Sequence, residues 1–448
     1  MEQSSSPTSP SIGAPNQEQR TLIDTILRSR RSTFISGPAG TGKSFLIYHL
    51  CRELDGASST YTLTAMTGAA ASLLVDARTL HSALGVGCLT GTVTATVKRL
   101  RSKRTAPEVR RAWASDTLVI DEASMLSGEH FTMLEAIARG VRRCQDAFGG
   151  MRLVLVGDLL QLPPVGRGSP PDFAFLSESW ERCHVETITL TTNMRQEAGS
   201  ALDRCLAKLR SGCIDASVAA FLESRIREPP EGLIVTELHG DNASVDAINT
   251  RHLERLRAAG ARTERFELEV TLKDPSHQEA LERELKQTIV PRTLHLALGA
   301  EVMLTKNMRR ETHLVNGTRG TVIGFDGCSG LPIVRFVGGG GSAMVKKAEY
   351  TFDTDGKVAF VLRQIPLRLA YALTVHKAQG ATMDTALVNM RCIFQPGQAY
   401  VAFSRVRTEE GLYLANLNLE GIQASKAVVG FLGGCGATTE KGTGAGAQ

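Results

Sequence analysis

Gly37-Pro38-Ala39-Gly40-Thr41-Gly42-Lys43-Ser44 follows directly on the apolar run Ser32-Thr33-Phe34-Ile35-Ser36. It opens onto Phe45-Leu46-Ile47-Tyr48-His49-Leu50-Cys51-Arg52-Glu53-Leu54, whose apolar residues recur at helical spacing. The octet fits G-x-x-x-x-G-K-[ST], in which glycines let backbone N–H groups close round phosphates. In that pattern Lys43 reaches the β- and γ-phosphates and the Ser44 hydroxyl ligates Mg²⁺. Strand, loop and helix in this order place the octet at a helix N-terminus, which favours anions. A chance Gly-rich turn lacks that context, so the chain is expected to bind a nucleotide.

Behind the loop, strand-like and helix-like stretches alternate. Tyr61-Thr62-Leu63-Thr64-Ala65, Thr117-Leu118-Val119-Ile120 and Arg152-Leu153-Val154-Leu155-Val156-Gly157 read as strands, and residues 68–75 as a helix. Alternation predicts a parallel sheet with helices on both faces and ligands at the carboxyl ends of its strands. Asp121-Glu122 closes one such strand. Asp121 suits the metal that bridges phosphates, and Glu122 suits the base beside an attacking water. Adjacent acids are common on surfaces, but not at the end of an apolar strand downstream of a phosphate loop. A Glu beside the Asp favours an NTPase over a nucleoside kinase.

Hydrolysis that drives motion also needs a γ-phosphate sensor and cations that neutralise transition-state charge. Candidates are Gln161 in Gly157-Asp158-Leu159-Leu160-Gln161-Leu162-Pro163-Pro164, Arg195 in Asn193-Met194-Arg195-Gln196, and Arg405 in Phe403-Ser404-Arg405. With 51 Lys and Arg in the chain, any one Arg is more often a surface ion pair worth little.

Upstream, Asn16-Gln17-Glu18-Gln19 precedes Leu22, Ile23, Ile26 and Leu27 at helical spacing, which makes Asn16 an N-cap and Gln19 the N3 of a capping box. Downstream, a second α/β segment runs from about residue 187 to 254. From about 295 to 362, short β-type runs are broken by Asn316-Gly317, Asp326-Gly327, Gly338-Gly339-Gly340-Gly341 and Asp355-Gly356, the pattern of a small antiparallel barrel. Helix and parallel-strand texture returns after it.

A chain of 448 residues, 42% hydrophobic and 22% charged, is expected to fold as two to four domains. The net charge of +5 does not by itself imply a nucleic-acid partner. Its distribution says more, because Lys98, Arg99, Arg101, Lys103, Arg104, Arg110 and Arg111 stand against the single acid Glu108. Such a block is usually a solvated face. Nine cysteines without C-x-x-C or zinc spacing read as reduced thiols. No apolar run has the roughly 18 residues of a membrane span. Residues 1–15, rich in Ser and Pro and without Arg, read as a disordered tail and not as a signal or transit peptide, and residues 433–448 as another tail.

Taken in order, several stretches carry a resemblance. They are residues 37–44, Thr64-Ala65-Met66-Thr67-Gly68-Ala69-Ala70, Asp121-Glu122-Ala123-Ser124-Met125-Leu126, residues 157–164, Arg195-Gln196, Leu373-Thr374-Val375-His376-Lys377-Ala378-Gln379-Gly380-Ala381-Thr382, and Tyr400-Val401-Ala402-Phe403-Ser404-Arg405-Val406-Arg407-Thr408. The set resembles the motifs of superfamily-one helicases. Within that group it is most similar to the petite-integration-frequency (PIF-type) DNA helicases, whose own signature is resembled by Ser124-Met125-Leu126-Ser127-Gly128-Glu129-His130-Phe131-Thr132-Met133-Leu134-Glu135-Ala136-Ile137-Ala138-Arg139. Met194 stands where an aromatic residue is usual and Phe403 where Leu is usual.

The resemblance implies two RecA-like lobes that hold ATP and Mg²⁺ between them, Ser44 and Asp121 serving the metal. Lobe one would span residues 16–186 with a wedge insertion at about 84–114, and lobe two residues 187–294 and 363–432, with an SH3-like barrel inserted at 295–362. Gln19 matches the adenine-reading Gln, Gln161 the γ-phosphate sensor, and Arg195 and Arg405 the arginines that reach the phosphate from the second lobe. Gly380 falls in a nucleotide-binding motif, while Thr64, Thr67, His81, Pro163, Pro164, Thr374, His376 and Lys377 match strand-contacting or strand-separating positions. The basic block then falls in the wedge, where Lys and Arg supply the salt-dependent phosphate term. The implied protein is a monomeric ATP-dependent helicase moving 5′ to 3′ on single-stranded DNA, acting on forked, duplex or G-quadruplex DNA in replication, repair, recombination or telomere maintenance. It would work in a nucleus, mitochondrion or bacterial cytoplasm. Two other readings fit the same motifs: a translocase that strips proteins without unwinding, and a silent DNA-binding scaffold.

Overall fold

The computed structural model describes residues 13–439 apart from 68, 69, 72, 73, 88, 90, 165–170, 232, 234, 274, 288, 289, 307, 309–313, 315–317, 338–340, 355 and 356. Lobe one carries a 6-stranded parallel sheet. Its strands are β1 (Thr33–Ser36), β2 (Tyr61–Ala65), β3 (Arg78–Thr79), β4 (Thr117–Asp121), β5 (Arg152–Gly157) and β6 (Glu186–Thr189), in the order β3-β2-β4-β5-β1-β6. Successive side chains point to opposite faces of a strand, so each apolar run feeds two cores. Ile35, Val119, Val154 and Val156 pack under the helices Gln17–Ser29 and Lys43–Gly56 with Leu22, Ile26, Leu46 and Leu50. Phe34, Leu118, Ile120, Leu153 and Leu155 face the helix Gly128–Arg142, which presents Phe131, Leu134 and Ile137.

Lobe two carries a 4-stranded parallel sheet ordered Ala372–Thr374, Thr236–His239, Ala386–Asn389, Leu412–Asn416. Between its first two strands in sequence lies the insertion. A 5-stranded antiparallel sheet (Glu301–Leu304, Arg319–Phe325, Pro332–Phe336, Ser342–Met344, Leu367–Leu369) shares one core with the pair Thr263–Glu267 and Thr293–Ala297. A 3-stranded sheet (Glu269–Leu272, Ala348–Thr354, Lys357–Gln364) has a separate small core around Phe360 and Leu362. Asp326-Gly327 does turn one strand into the next, with Asp326 Oδ2 accepting from the N–H groups of Cys328 at 3.2 Å and Ser329 at 2.8 Å. Residues 316, 317, 338–340, 355 and 356, which carry the other three hairpin signals, lie outside the described residues.

Four expectations are corrected. Lobe one does not stop at residue 186, because Thr187–Thr189 continue β6 beside β1. The insertion is not confined to 295–362 but begins at Thr263 and ends at Leu369. Thr263-Glu264-Arg265-Phe266-Glu267 buries only Phe266, so its charge hides its strand character. Of the helix expected over 68–75, Ala70 and Ala71 are helical, whereas Leu74 and Val75 lie in a bend and a turn. Finally, residues 433–439 are no tail, since the helix Lys426–Thr439 runs through them. Its described apolar side chains pack on lobe one. Val428 is buried in the core of lobe one and Phe431 stacks on Phe175 at 4.3 Å. Among the described residues no helix is long and apolar enough to cross a membrane.

The basic block forms the helices Val93–Leu100 and Pro107–Ala114, anchored by Leu100, Val109 and Trp113. Lys98, Arg101, Lys103, Arg104, Arg110 and Arg111 are exposed, and none joins the ion pairs found among the described residues. Arg99 instead turns inward and donates to the Gly85 carbonyl at 2.7 Å.

Phe131, at 0% exposure, has its ring 5.5 Å from those of Phe148 and Trp180, so lobe one closes on this residue. Phe131→Ala is expected to cost roughly 3–5 kcal/mol, seen as a lower urea midpoint for lobe one.

Candidate ATP site and nucleic-acid interface

The phosphate loop is held open by two left-handed glycines, Gly40 at φ +90° and Gly42 at φ +75°. A Cβ on Gly40 would stand 2.6 Å from Asn193 Oδ1 and 2.7 Å from Arg195 Cβ, so the loop and the 193–196 segment fit only without a side chain there. The Met194 N–H donates to the Gly40 carbonyl at 2.8 Å. Lys43 Nζ bridges the loop by donating to the carbonyls of Gly37 and Pro38 at 2.8 and 2.9 Å. Burial pulls its ammonium pKa down against the pull of Asp158, Glu122 and Asp121.

Gln19 satisfies both of its readings. Its N–H and side chain close the capping box with Asn16, and its Nε2 lies 3.5 Å from the Thr41 carbonyl at the loop's edge. Ser44 Oγ is 3.5 Å from Asp121 Oδ2. Burial, and next the charge of Glu122, push the Asp121 carboxyl up. A divalent cation between Ser44 and Asp121 would reverse that push, and an oxygen-only pair completed by phosphates and water suits Mg²⁺. Glu122 sits at φ 53°, past the end of β4, and its Oε2 accepts from Gln379 Nε2 of lobe two at 3.0 Å. The Gln379 Oε1 is buried with no hydrogen-bond partner among the described residues. Gly380, the neighbour expected to touch nucleotide, is exposed with nothing within 4 Å of a Cβ position.

The sensor and the arginines come to the same place. Gln161, 5% exposed, donates from Nε2 to Asp158 Oδ2 at 3.3 Å. Arg405 is 1% exposed and donates to Val401 O, Ala381 O and Ser404 Oγ. Burial, followed by the nearby Arg195 charge, pulls it down to about 9. Arg195 belongs to the segment joining the lobes and donates to the Ser404 carbonyl at 2.9 Å; burial lowers its pKa as well.

Sequence reasoning left three participants unassigned. Arg210, on the lobe-two helix Ala201–Ser211, pairs with Asp158 at the end of β5, 2.9 Å apart, with the Asp158 side chain 0% exposed. Tyr400 Oη of lobe two accepts from the Ala39 N–H of the phosphate loop at 2.8 Å. Gln196 Nε2 donates to the Val406 carbonyl at 2.8 Å. Tyr400 and Gln196 lay inside recognised motifs, while Arg210 carried no signal.

The strand-contacting candidates divide. Lys377 is exposed, and Thr67, His81, Pro163 and His376 are half-buried. Burial lowers the pKa of His81, with His130 acting in the same direction, and burial lowers those of His376 and Lys377. Thr64, Pro164 and Thr374 are buried. The Thr64 hydroxyl donates to the Val119 carbonyl at 2.8 Å and the Thr374 hydroxyl accepts from the Lys377 N–H at 3.3 Å. Both hydroxyls have partners inside the protein, Thr64 as a donor and Thr374 as an acceptor, and the Thr374 O–H is left to donate.

A phosphate loop closed by a second α/β lobe that brings in its own arginine defines a P-loop NTPase of two RecA-like lobes. Residues 15–210 match the PIF1-like helicase family, and residues 279–325 match the domain described as DNA helicase Pif1, 2B domain. The chain is 34% identical over 418 residues to the ATP-dependent DNA helicase Pif1 of Bdellovibrio bacteriovorus, covering 92% of this chain and 90% of that one. It is 36% identical over 421 residues to the ATP-dependent DNA helicase PIF1 of Danio rerio, covering 93% of this chain and 63% of the relative. The crystal structure of Pif1 helicase from Candida albicans superposes with a TM-score of 0.82 at 32% identity, over 94% of this chain and 99% of that one. The chain belongs to the PIF1-like helicase family. It spans slightly under two thirds of the length of its vertebrate relatives.

Gly397, at φ +78°, passes so close to lobe one that a Cβ would lie 2.1 Å from the Gln161 carbonyl. Gly397→Ala is therefore expected to hold Gln161 off the cleft. ATP hydrolysis should fall on the order of 10²-fold, while fluorescent-nucleotide binding persists.

Proposed function

We propose that the chain is an ATP-dependent DNA helicase that moves 5′ to 3′ along single-stranded DNA and opens forked or duplex DNA. The observation that carries this reading is the gathering of charge from both lobes at one phosphate loop: Lys43, Asp121, Glu122 and Asp158 from lobe one, Arg405 and Tyr400 from lobe two, and Arg195 between them. Relatives named ATP-dependent DNA helicases support the activity. A strand as partner is supported by the turn from Thr374 to Gln379, which faces both ways. Its exposed Lys377 lies two residues from Gln379, which touches Glu122.

Residues 37–44 receive the triphosphate of ATP, with Lys43 turning from the loop carbonyls to the phosphate oxygens. Ser44 and Asp121 would hold Mg²⁺, which would supply charge neutralisation for the triphosphate. Glu122, oriented by Gln379, takes the proton of the attacking water, and Gln161 senses the γ-phosphate. Arg195 and Arg405 neutralise the developing charge, a role worth on the order of 10³ to 10⁵ in rate. Loss of the γ-phosphate removes the anion that both lobes share, so they part, and the residues around Lys377 shift along the strand.

Lys43→Ala and Glu122→Gln should each abolish DNA-stimulated phosphate release while leaving oligo-dT binding intact, and full turnover by either would remove that residue from its role. Duplexes with 5′ tails should be opened and those with 3′ tails left alone. Displacement of a bound protein without strand separation would point to the stripping translocase instead.

A further inference from the structure

Arg368 lies on the strand Leu367–Leu369, where the inserted barrel meets lobe two, with Met303 as its cross-strand neighbour. Its guanidinium donates no hydrogen bond to any described residue, and Nε and Nη2 are buried without a partner. Asp246, on the helix Asn242–Ala258, draws the guanidinium electrostatically but forms no ion pair with it among the described residues. Burial pulls its pKa down to about 10. The second cation, Lys377, lies near enough for Arg368 to depress its pKa too, and its Nζ is held by Asn242 Oδ1 at 3.1 Å.

Such an arrangement works against stability. Buried donors are normally satisfied, and a buried charge is normally paired. Asp246 is exposed and eases the field without satisfying the fork. Other arginines inside the fold spend at least part of their guanidinium on the protein: Arg405 donates to three acceptors, Arg210 is paired with Asp158, and Arg152, whose Nε also lacks a partner, donates to the Ile26 carbonyl. Two cations near enough to act on one another, one with its Nε and Nη2 donors unspent, suit a tetrahedral oxyanion, because guanidinium matches phosphate through parallel N–H bonds. The turn that carries Lys377 also carries His376 and caps on Thr374, so the seat adjoins the expected strand track of lobe two.

From this geometry we infer that Arg368, together with Lys377, binds one backbone phosphate of the translocating strand at the junction of lobe two and the barrel. This rests on the proposed action on single-stranded DNA. The contact is to phosphate and not to a base edge, so it positions the strand without reading sequence. Its place on a barrel strand gives the inserted domain a direct hold on the strand beside the grip of lobe two.

The test is the salt dependence of binding to fluorescent oligo-dT, measured by anisotropy for the wild-type chain, Arg368→Gln, Arg368→Lys and Lys377→Gln. Each phosphate contact on a single strand contributes a slope of about −0.7 in log K against log[salt]. Arg368→Gln should lose about that much, Arg368→Lys should retain it, and Lys377→Gln should lose a similar amount. Melting of the DNA-free protein is the second readout. Removing a buried charge without a partner should leave Arg368→Gln at least as stable as wild type, whereas a structural arginine would show a clear fall in melting temperature. An unchanged slope in Arg368→Gln, with wild type binding oligo-dT normally, overturns the phosphate seat and leaves the helicase reading standing. Wild type that does not bind oligo-dT overturns both.

Discussion

Buried charge around residues 37–44 is the constraint on which the rest of the molecule depends. Lys43, Arg195, Arg210 and Arg405 face Asp121, Glu122 and Asp158 in a space where burial lowers the pKa of Lys43, Arg195 and Arg405 and raises that of Asp121. Desolvating so many ions costs more than their mutual attraction returns unless the geometry is close to ideal. Only the Asp158–Arg210 pair, with Gln161 and the Leu160 N–H also bonded to Asp158, comes near that standard. The other cations are held in place by backbone carbonyls, as Lys43 is by Gly37 and Pro38 and Arg405 by Val401 and Ala381. Carbonyl dipoles partly compensate a cation but do not neutralise it. The phosphates of a nucleotide would supply the missing negative charge, so the site is arranged to respond to nucleotide as well as to bind it.

That response has to cross between lobes, and the crossing points are few and sterically exact. Tyr400 meets the Ala39 N–H, Gln379 meets Glu122, Arg210 meets Asp158, and Gly397 lets the Gln161 carbonyl approach. Two of these four contacts involve backbone atoms of lobe one, so lobe two follows the backbone of lobe one as well as the tips of its side chains. Gln379 and Lys377 share one short turn, capped by the Thr374 hydroxyl on the Lys377 N–H. The same short turn therefore links the residue that touches Glu122 to the exposed cation of lobe two.

Lobe one and the phosphate site were legible in the sequence because their residues obey local rules. Residues 37–44 declare a loop, and the apolar runs of β1, β4 and β5 declare strands buried on both faces. Asp121-Glu122 is informative only because it ends such a run. What escaped depends on contacts between distant segments. Arg210 sits on an ordinary amphipathic helix and gains meaning solely from Asp158, 52 residues away. Thr263–Glu267 is nearly all charged and polar, so its strand nature lies in pairing with Thr293–Ala297 and not in its own pattern. Thr64 and Thr374 matched strand-contacting positions by motif, yet a hydroxyl's partner is decided by which way it turns in the fold. The Gly-rich sequence of the last helix disguised it as a tail, and among its described side chains Val428, Phe431 and Leu432 supply the apolar side.

That last helix alters how the lobes are able to move. The chain crosses from lobe one to lobe two in residues 190–200 and, after Leu412–Asn416, crosses back so that Lys426–Thr439 rests on Phe175 and Trp180. Two lobes tied at one point swing freely, whereas two lobes tied at two points are biased to rotate about the line through both. Hinge motion of this kind concentrates displacement far from the axis. The first tie runs beside the phosphate loop, where Met194 bonds to Gly40 and Arg195 to Ser404. A change of charge at the phosphate loop would therefore act beside the first tie, and the exposed surface around His376 and Lys377 is joined to it through the short turn that also carries Gln379.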